Sequence, residues 1–385
     1  MAIVSLERIN DYENGMLRKT ILKSLENIGV ELSIFQGKQV ALKPNLLMPA
    51  KPEKAIMTDP EFFRAVVQIV RQNGGKPVLI ESPAIHSLKT AIRKTEYANI
   101  IETENVDVGS NSETISLTYA DAKSFKHIDI ASSLKDVDII ISLPKFKTHG
   151  LTYITGAVKN LFGVIPGLAK SKMHMKIPSA EDFSDFLLDL CGAMQFGFEK
   201  QKTIIHIMDA ILTQEGEGPG TGGTPKKMNA ILAGFDAVAI DYVVTKVAGL
   251  DPEKAMTITK GFDRSYGVNS PADIKIIGQR IEDMKVFDFS PSRGTIMSNM
   301  VRWPLTSKHF KNLFIEKPAP DKNRCTLCYK CKTICPAGAI SPASEKEDTP
   351  KYDYNSCIRC YCCMEICPEA AIHKKRGLLQ WMIRI

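Results

Sequence analysis

Short apolar runs alternate with amphipathic helical stretches along most of the chain, the pattern of an α/β domain. Val40-Ala41-Leu42-Lys43 reads as a strand that ends at Pro44-Asn45. Asp59-Pro60-Glu61 is a helix start, with a capping carboxylate and a proline at the first helical position. Phe62, Phe63, Val66, Ile69 and Val70 then fall on one helical face, and Gly74-Gly75 stops the helix. Pro77-Val78-Leu79-Ile80 is the next strand and runs into Glu81-Ser82-Pro83. Further strands are expected at Val137–Ser142, Ile204–Met208 and Ile274–Ile277, with helices over 181–196 and 237–248. The large α/β domain is therefore placed at 1–288. A connector follows at 289–320, interrupted by Pro291, Pro304, Pro318 and Pro320 around Trp303.

Composition changes this picture little. A chain of 385 residues with 44% hydrophobic and 24% charged residues is ordinary globular protein, long enough for two or three domains. No apolar run reaches the roughly 18–20 residues of a membrane span. The N-terminal residues lack the layout of a secretory signal, so the cytoplasm is the expected compartment. The net charge of +7 points to an anionic ligand or partner. With no recognition helix and no interleaving of arginine and aromatic residues, nucleic acid is not the expected partner. The oligomeric state is not legible.

Cysteine placement changes it decisively. Of ten cysteines, nine lie between Cys325 and Cys367, whereas Cys191 follows an apolar helical run and reads as a buried thiol. The first run is Cys325-x2-Cys328-x2-Cys331-x3-Cys335-Pro336, and the second is Cys357-x2-Cys360-x2-Cys363-x3-Cys367-Pro368. Each has the bacterial ferredoxin spacing, in which the fourth cysteine serves the other cluster. One [4Fe–4S] cluster is thus expected on Cys325, Cys328, Cys331 and Cys367, and a second on Cys357, Cys360, Cys363 and Cys335. Zinc, the competing reading, does not call for eight cysteines with a proline after each fourth one. The spacing leaves Cys362 as a packing residue or a thiol behind the ligands. Residues 321–373 are therefore expected to form a small α+β two-cluster ferredoxin-like domain. The basic and apolar tail 374–385 is expected to pack back onto the domains, with a membrane-surface or partner anchor as the alternative.

Three constellations in the large domain could carry chemistry. Between Asp138 and Glu181 the chain has six lysines, two histidines and no acidic residue. A solvated face normally mixes both signs, so Lys145, Lys147, Lys159, His149 and His174 read as an anion site for phosphate or carboxylate, with a plain basic surface as the alternative. The stretch Glu215–Pro225 holds five glycines, among them Gly216, Gly218 and Gly220, and reads as a ligand-facing loop or a flexible connection. It has neither dinucleotide nor P-loop spacing, and no flavin or nucleotide motif is present. Carboxylates at strand or loop ends, Glu81, Asp209, Glu215, Glu217, Asp236 and Asp241, are candidates for acid–base work, each competing with a capping or surface role.

Lys43-Pro44-Asn45, Leu143-Pro144-Lys145-x-Lys147-Thr148-His149, Thr155–Gly163 and Glu215-Gly216-x-Gly218-Pro219 together resemble the DUF362 family. That family is often fused to a two-cluster ferredoxin domain, and the resemblance implies an electron-linked role without a settled substrate. The leading expectation is an iron–sulfur oxidoreductase. A ferredoxin or flavoprotein would load the clusters, an anionic small molecule would bind at Lys145, Lys147 and Lys159, and His149 or His174 would give protons. The alternative is a non-catalytic electron-transfer or assembly protein that docks a redox partner through the basic stretch. A third reading puts a metal cofactor on that stretch, loosely similar to nickel-pincer racemases, with no matching motif to quote.

Overall fold

The computed structural model describes residues 1–375 apart from 84–86, 112, 168, 178, 265–266, 293–315 and 346. Most of the expected connector, with Pro304 and Trp303, lies outside the described residues, as do positions 376–385 of the tail.

The first half of the large domain supplies strands β1 (Ala2–Arg8), β2 (Gln39–Pro44), β3 (Lys76–Leu79) and β4 (Asp107–Val108). Between them run helices α1 (Asn14–Asn27), α2 (Pro60–Gln72), α3 (Leu88–Arg93) and α4 (Tyr97–Thr103). A separate antiparallel pair, β5 (Thr114–Thr118) and β6 (His127–Ala131), precedes β7 (Ile139–Leu143), β8 (Lys145–His149) and β9 (Tyr153–Thr155). Then come α5 (Ala157–Asn160), α6 (Ala169–Lys176), α7 (Ala180–Phe196), β10 (Thr203–Gly216), β11 (Gly223–Gly234), α8 (Ala237–Val247), α9 (Met256–Asp263), β12 (Ile274–Gly278) and α10 (Ile281–Met284).

Among the described residues the main sheet has ten strands, in the order β12-β1-β11-β10-β7-β2-β3-β4, with β8 on β10 and β9 on β8. Strands β10, β7, β2, β3 and β4 run parallel, so their carboxyl ends share one edge. The helix that starts at Pro60 forms as its sequence predicts. The Asp59 carboxylate accepts a hydrogen bond from the Glu61 backbone N–H at 2.9 Å, and Phe62, Phe63, Val66, Ile69 and Val70 are buried.

Helices cover both sheet faces, which is why the central strands read as continuous apolar runs. Alternate residues serve alternate cores. Val40, Leu42, Ile139 and Ile141 pack with α1 and α2, while Ala41 and Ile140 pack with α7 and α8.

One expectation needs correction here. The strand begun at Ile204 does not stop at Met208 but runs to Gly216. The glycine-rich segment is the tip of the β10–β11 hairpin, with Gly216 opposite Gly223. The basic stretch is itself ordered as a strand over Lys145–His149. After Pro144 the chain continues alongside β10 as a strand, Asp209 pairing with Lys145 and Gln214 with Lys147, and every residue of β8 is buried.

The C-terminal module consists of β13 (Lys317–Pro320), α11 (Lys330–Ile334), β14 (Ile340–Ser341), β15 (Lys351–Tyr352), α12 (Cys362–Ile366) and β16 (Ile372–Lys375). β13 pairs with β16, and β14 with β15. Its outer pair thus takes in Lys317 and Lys375, beyond the 321–373 expected from the cysteines.

Candidate functional site

The parallel strands converge on a cleft at their carboxyl ends, with about 90 Å³ of room and partly open to solvent. Asn45 after β2, Glu81 after β3, Lys147 of β8, Lys159 of α5 and Lys170 of α6 line its floor and walls. Its roof comes from the other module, through Ile334 of α11 and Cys362, Glu365 and Ile366 of α12.

The floor is built by partners far apart in sequence. Lys43, at the end of β2, meets the Glu81 carboxylate at 2.6 Å with both groups buried. Gly163 allows this pair, because a Cβ there would overlap both Glu81 Oε1 and Lys43 Nζ. Lys147 Nζ donates to Asn45 Oδ1 at 2.8 Å and to the Ile56 carbonyl at 2.7 Å. Asn160 ties two strands together, donating to the Lys43 carbonyl at 3.2 Å and to Ser142 Oγ at 2.9 Å.

The turn before α5 explains the rest of the Thr155–Gly163 block. Asp241 accepts from the Ala157 and Val158 backbone N–H groups at 2.5 and 3.1 Å, and a Cβ at Gly156 would overlap its carboxylate. Burial pushes the Asp241 carboxyl up to about 7. Held this way, α5 turns Lys159 into the cleft. The Lys159 ammonium has no hydrogen-bond or ion-pair partner among the described residues and lies 6.0 Å from the Phe162 ring centroid.

The electrostatics follow from crowding cations in a half-dry space. Burial pulls the Lys147 ammonium down to about 7, and the neighbouring Lys159 charge adds to the effect. Lys170 falls to about 8, again through burial first, although Glu81 lies 3.7 Å away. Lys43 and Lys159 are lowered by burial as well. Around the cleft these lysines outnumber the carboxylates Glu81 and Glu365, so an anion placed there would relieve repulsion and restore protons to the lysines.

Not every expected residue belongs to this cleft. Lys145 is turned away, its ammonium 2.7 Å from the buried Asp209 carboxylate. Tyr12 OH donates to Asp209 Oδ1 at 2.8 Å and accepts from Lys145 at 2.9 Å, so this network is a foundation beneath the cleft. Burial, reinforced by Asp209, pushes the Asp59 carboxyl up to about 7. Glu215 bonds the Ser290 backbone N–H, Glu217 lies near Lys374, and Asp236 caps α8. His174 is on α6, but its side chain lies outside the described residues. The sequence reading passed over Lys43, Asn45, Asn160 and Lys170 as site residues, although all four lie in stretches it singled out.

His149 sits where the two modules meet. Its Nδ1 accepts from the Leu151 backbone N–H at 2.9 Å, which leaves the proton on Nε2, and Nε2 faces Glu365 Oε1 at 3.1 Å. Burial keeps the ring neutral by pulling its pKa down to about 4. The hairpin tip completes the contact. Thr221 Oγ1 donates to the Cys367 carbonyl at 2.5 Å, and a Cβ at Gly220 would overlap the Glu365 backbone. Gly218, beside the Thr148 carbonyl, and Gly220 thus serve close packing of main chain on main chain, while Gly216 takes a φ of 73°.

The cysteines fall into two sets. Cys325, Cys328, Cys331 and Cys367 line one small cavity of the module. Cys335 lies close to Cys357 and Cys360, and Cys363 neighbours the same three and Cys331 as well. The two loops repeat each other in backbone as well as in spacing: Leu327 and Tyr329 have positive φ, and so do Arg359 and Tyr361. The Ala339 and Ala371 backbone N–H groups point at the sulfurs of Cys335 and Cys367, each at 3.3 Å. Among the described residues no three His, Cys, Asp or Glu side chains converge tightly enough for a single metal ion. This donor chemistry, two sets of four thiols with backbone N–H groups aimed at sulfur, fits iron–sulfur clusters. Cys362 is buried, is 3.9 Å from the Cys360 carbonyl and lines the cleft.

Comparisons with known proteins match the two modules separately. Residues 317–368 match the model of a 4Fe-4S dicluster domain. The "Thylakoid-associated protein" of Synechocystis sp. is 33% identical over 272 residues, covering 70% of this chain and 81% of that protein. Among the described residues no helix is long and apolar enough to cross a membrane. The lactate racemase apoprotein of Thermoanaerobacterium thermosaccharolyticum is similar at 16% identity and a TM-score of 0.39, over 63% of this chain and 57% of that one. A structural-genomics target from Thermotoga maritima is similar at 10% identity and a TM-score of 0.36, over 58% and 56%. At such scores neither likeness carries a conclusion about chemistry. The large domain is matched over residues 40–246 by the model of the domain of unknown function DUF362, and the chain belongs to that family.

Proposed function

We propose that the protein is an iron–sulfur oxidoreductase that reduces an anionic small molecule held in the cleft between its two modules. The observation that carries this reading is the roof: the helix bearing Cys363, through Cys362, Glu365 and Ile366, closes a cleft whose floor is rich in lysine. Two [4Fe–4S] clusters, one on Cys325, Cys328, Cys331 and Cys367 and one on Cys357, Cys360, Cys363 and Cys335, would supply electrons one at a time. With four thiolates for each cluster no iron is left open to substrate, so the substrate is held by protein groups.

Lys159, Lys147 and Lys170 would bind and orient the anion. Because Lys147 and Lys170 sit near neutrality, anion binding draws protons into the cleft. His149 is fixed with its proton on Nε2 and pairs with Glu365, so it serves the docking of the modules rather than metal binding. The alternative, a redox partner docked on the Lys/His stretch, is not favoured, since Lys145, Lys147 and His149 are 1%, 0% and 1% exposed.

Metal, sulfide and EPR analysis of protein purified without oxygen tests the reading. Expected are about eight iron and eight sulfide per chain, and after reduction the signals of two interacting cubanes. Four iron or fewer, zinc in their place, or nickel bound at the lysine cleft would overturn it.

A further inference from the structure

Resting on the cluster assignment proposed above, we infer that the two clusters are ordered, with the Cys325–Lys332 loop as the face that takes electrons from an acidic one-electron carrier protein. The second set reaches inward through Cys360. Cys360 and Cys362, with Ile334 and Ile366, pack into the apolar core that the large domain builds around α1 and α2. The apolar neighbours of Cys325, Cys331 and Cys367 are module residues, Cys335 and Cys363 among them, with the large domain touching this set through the Thr221 bond to the Cys367 carbonyl; the cavity they share with Cys328 is lined by that module alone. Cys328 is the exposed cysteine of the ten. Its set is therefore the outer one, and the set beside the cleft is the inner one.

The charges of the two loops differ in the same sense. Lys322, Arg324, Lys330 and Lys332 surround the first loop, and no acidic residue occurs from Lys322 to Cys335. Lys322, Arg324 and Lys332 are exposed. The second loop has a single cation, Arg359, which is 6% exposed and stacks 5.3 Å from the Tyr354 ring centroid. The carboxylates nearby are Asp321, Glu369 at the rim of the outer cavity, and Glu347 and Asp348, which share a surface cavity with Lys322; Lys317, Lys351 and Lys375 line that cavity too, so cations stay in excess. Such a face steers an acidic partner and orients it with its redox centre toward Cys328. The step itself is simple in balance: one electron leaves the reduced carrier and one reaches the outer site, with no bond made and no proton moved.

The test uses the full chain loaded with its clusters and a reduced acidic ferredoxin as probe, with cluster reduction followed by stopped-flow absorbance. No substrate is present, so the outcome does not depend on what the cleft binds. The triple variant K322E/R324E/K332E is expected to be reduced by ferredoxin at least about tenfold more slowly at low salt. Its photoreduction by 5-deazaflavin, a small near-neutral donor, should be unchanged, as should its EPR spectrum. A matched variant elsewhere on the surface, K19E/K246E/K275E, changes net charge equally and should leave the ferredoxin rate within about twofold. Equal slowing by both variants would show a net-charge effect only and overturn the inference. The parent chain gives a measurement that needs no variant: its rate with ferredoxin should fall steeply as salt rises. A rate indifferent to salt, or one that the K322E/R324E/K332E change leaves alone, overturns it as well.

Discussion

The two ends of strand β10 make an instructive pair. Near its start, His206 sits in a cavity of about 410 Å³ with Cys191, Gln195 and Asp236. Level with its second half lies His149, against the other module. Both imidazoles are pulled from the ordinary 6.5 down to about 4, and burial is the first cause in each. Their surroundings differ completely. His149 accepts from the Leu151 backbone N–H at Nδ1 and has its Nε2 3.1 Å from the Glu365 carboxylate, whereas the Nδ1 of His206 is buried without a hydrogen-bond partner among the described residues. A shifted titration therefore marks desolvation at both ends, and only the convergence of partners marks a site. The carboxyl end has that convergence, with lysines, asparagines and a second module meeting there, and the amino end does not.

The comparison breaks most visibly at its foundation. Asp209→Ala leaves Lys145 charged and buried, and should cost about 3–5 kcal/mol in anaerobic chemical denaturation. A loss below about 1 kcal/mol would mean that the network under the cleft is not held by charge pairing.

The histidines can be separated by acid. Each folded imidazole resists protonation until about pH 4, while the unfolded chain takes up its protons near 6.5, so stability falls as pH drops through that window. His206→Leu removes one such site and should abolish about 1.5 kcal/mol of the stability lost between pH 6.5 and 5. At neutral pH the same variant should leave anion binding unchanged, as expected of the end with no convergent partners.

The smallest effect sharpens the other end. Lys159→Met should weaken oxalate or phosphate binding about tenfold by calorimetry, near 1.4 kcal/mol, with stability unchanged or slightly raised. In the parent chain that affinity should decline as pH rises from about 6.5 to 8.5, because Lys147 and Lys170 lose their protons near 7 and 8. Affinity flat across that range would remove both from the binding surface.

Much of this was legible in the sequence where the physics is local. Thiols spaced two and three residues apart leave a short-range pattern, so the dicluster domain could be read off directly. Likewise β2, β7 and α2 announce themselves, because strands buried on both faces and a capped amphipathic helix leave short-range patterns. The cleft was half legible: the one-sided charge between Asp138 and Glu181 is local, but its use is not. Lys43 finds Glu81 across 38 positions, and Lys145 finds Asp209 across 64, so which lysines are neutralised depends on strand order. Lys159 stays free for the same reason. The hairpin glycines misled because close approach to a ligand and close approach to another module's backbone ask for the same residue.

The roof over the cleft also bears on kinetic order. Because the module that closes it belongs to the same chain, the electron source proposed here is present at a fixed effective concentration and never has to be found by diffusion. Delivery into the cleft would be first order and indifferent to dilution of the protein. Only the outer face, where the carrier arrives, would respond to how much partner the cell makes.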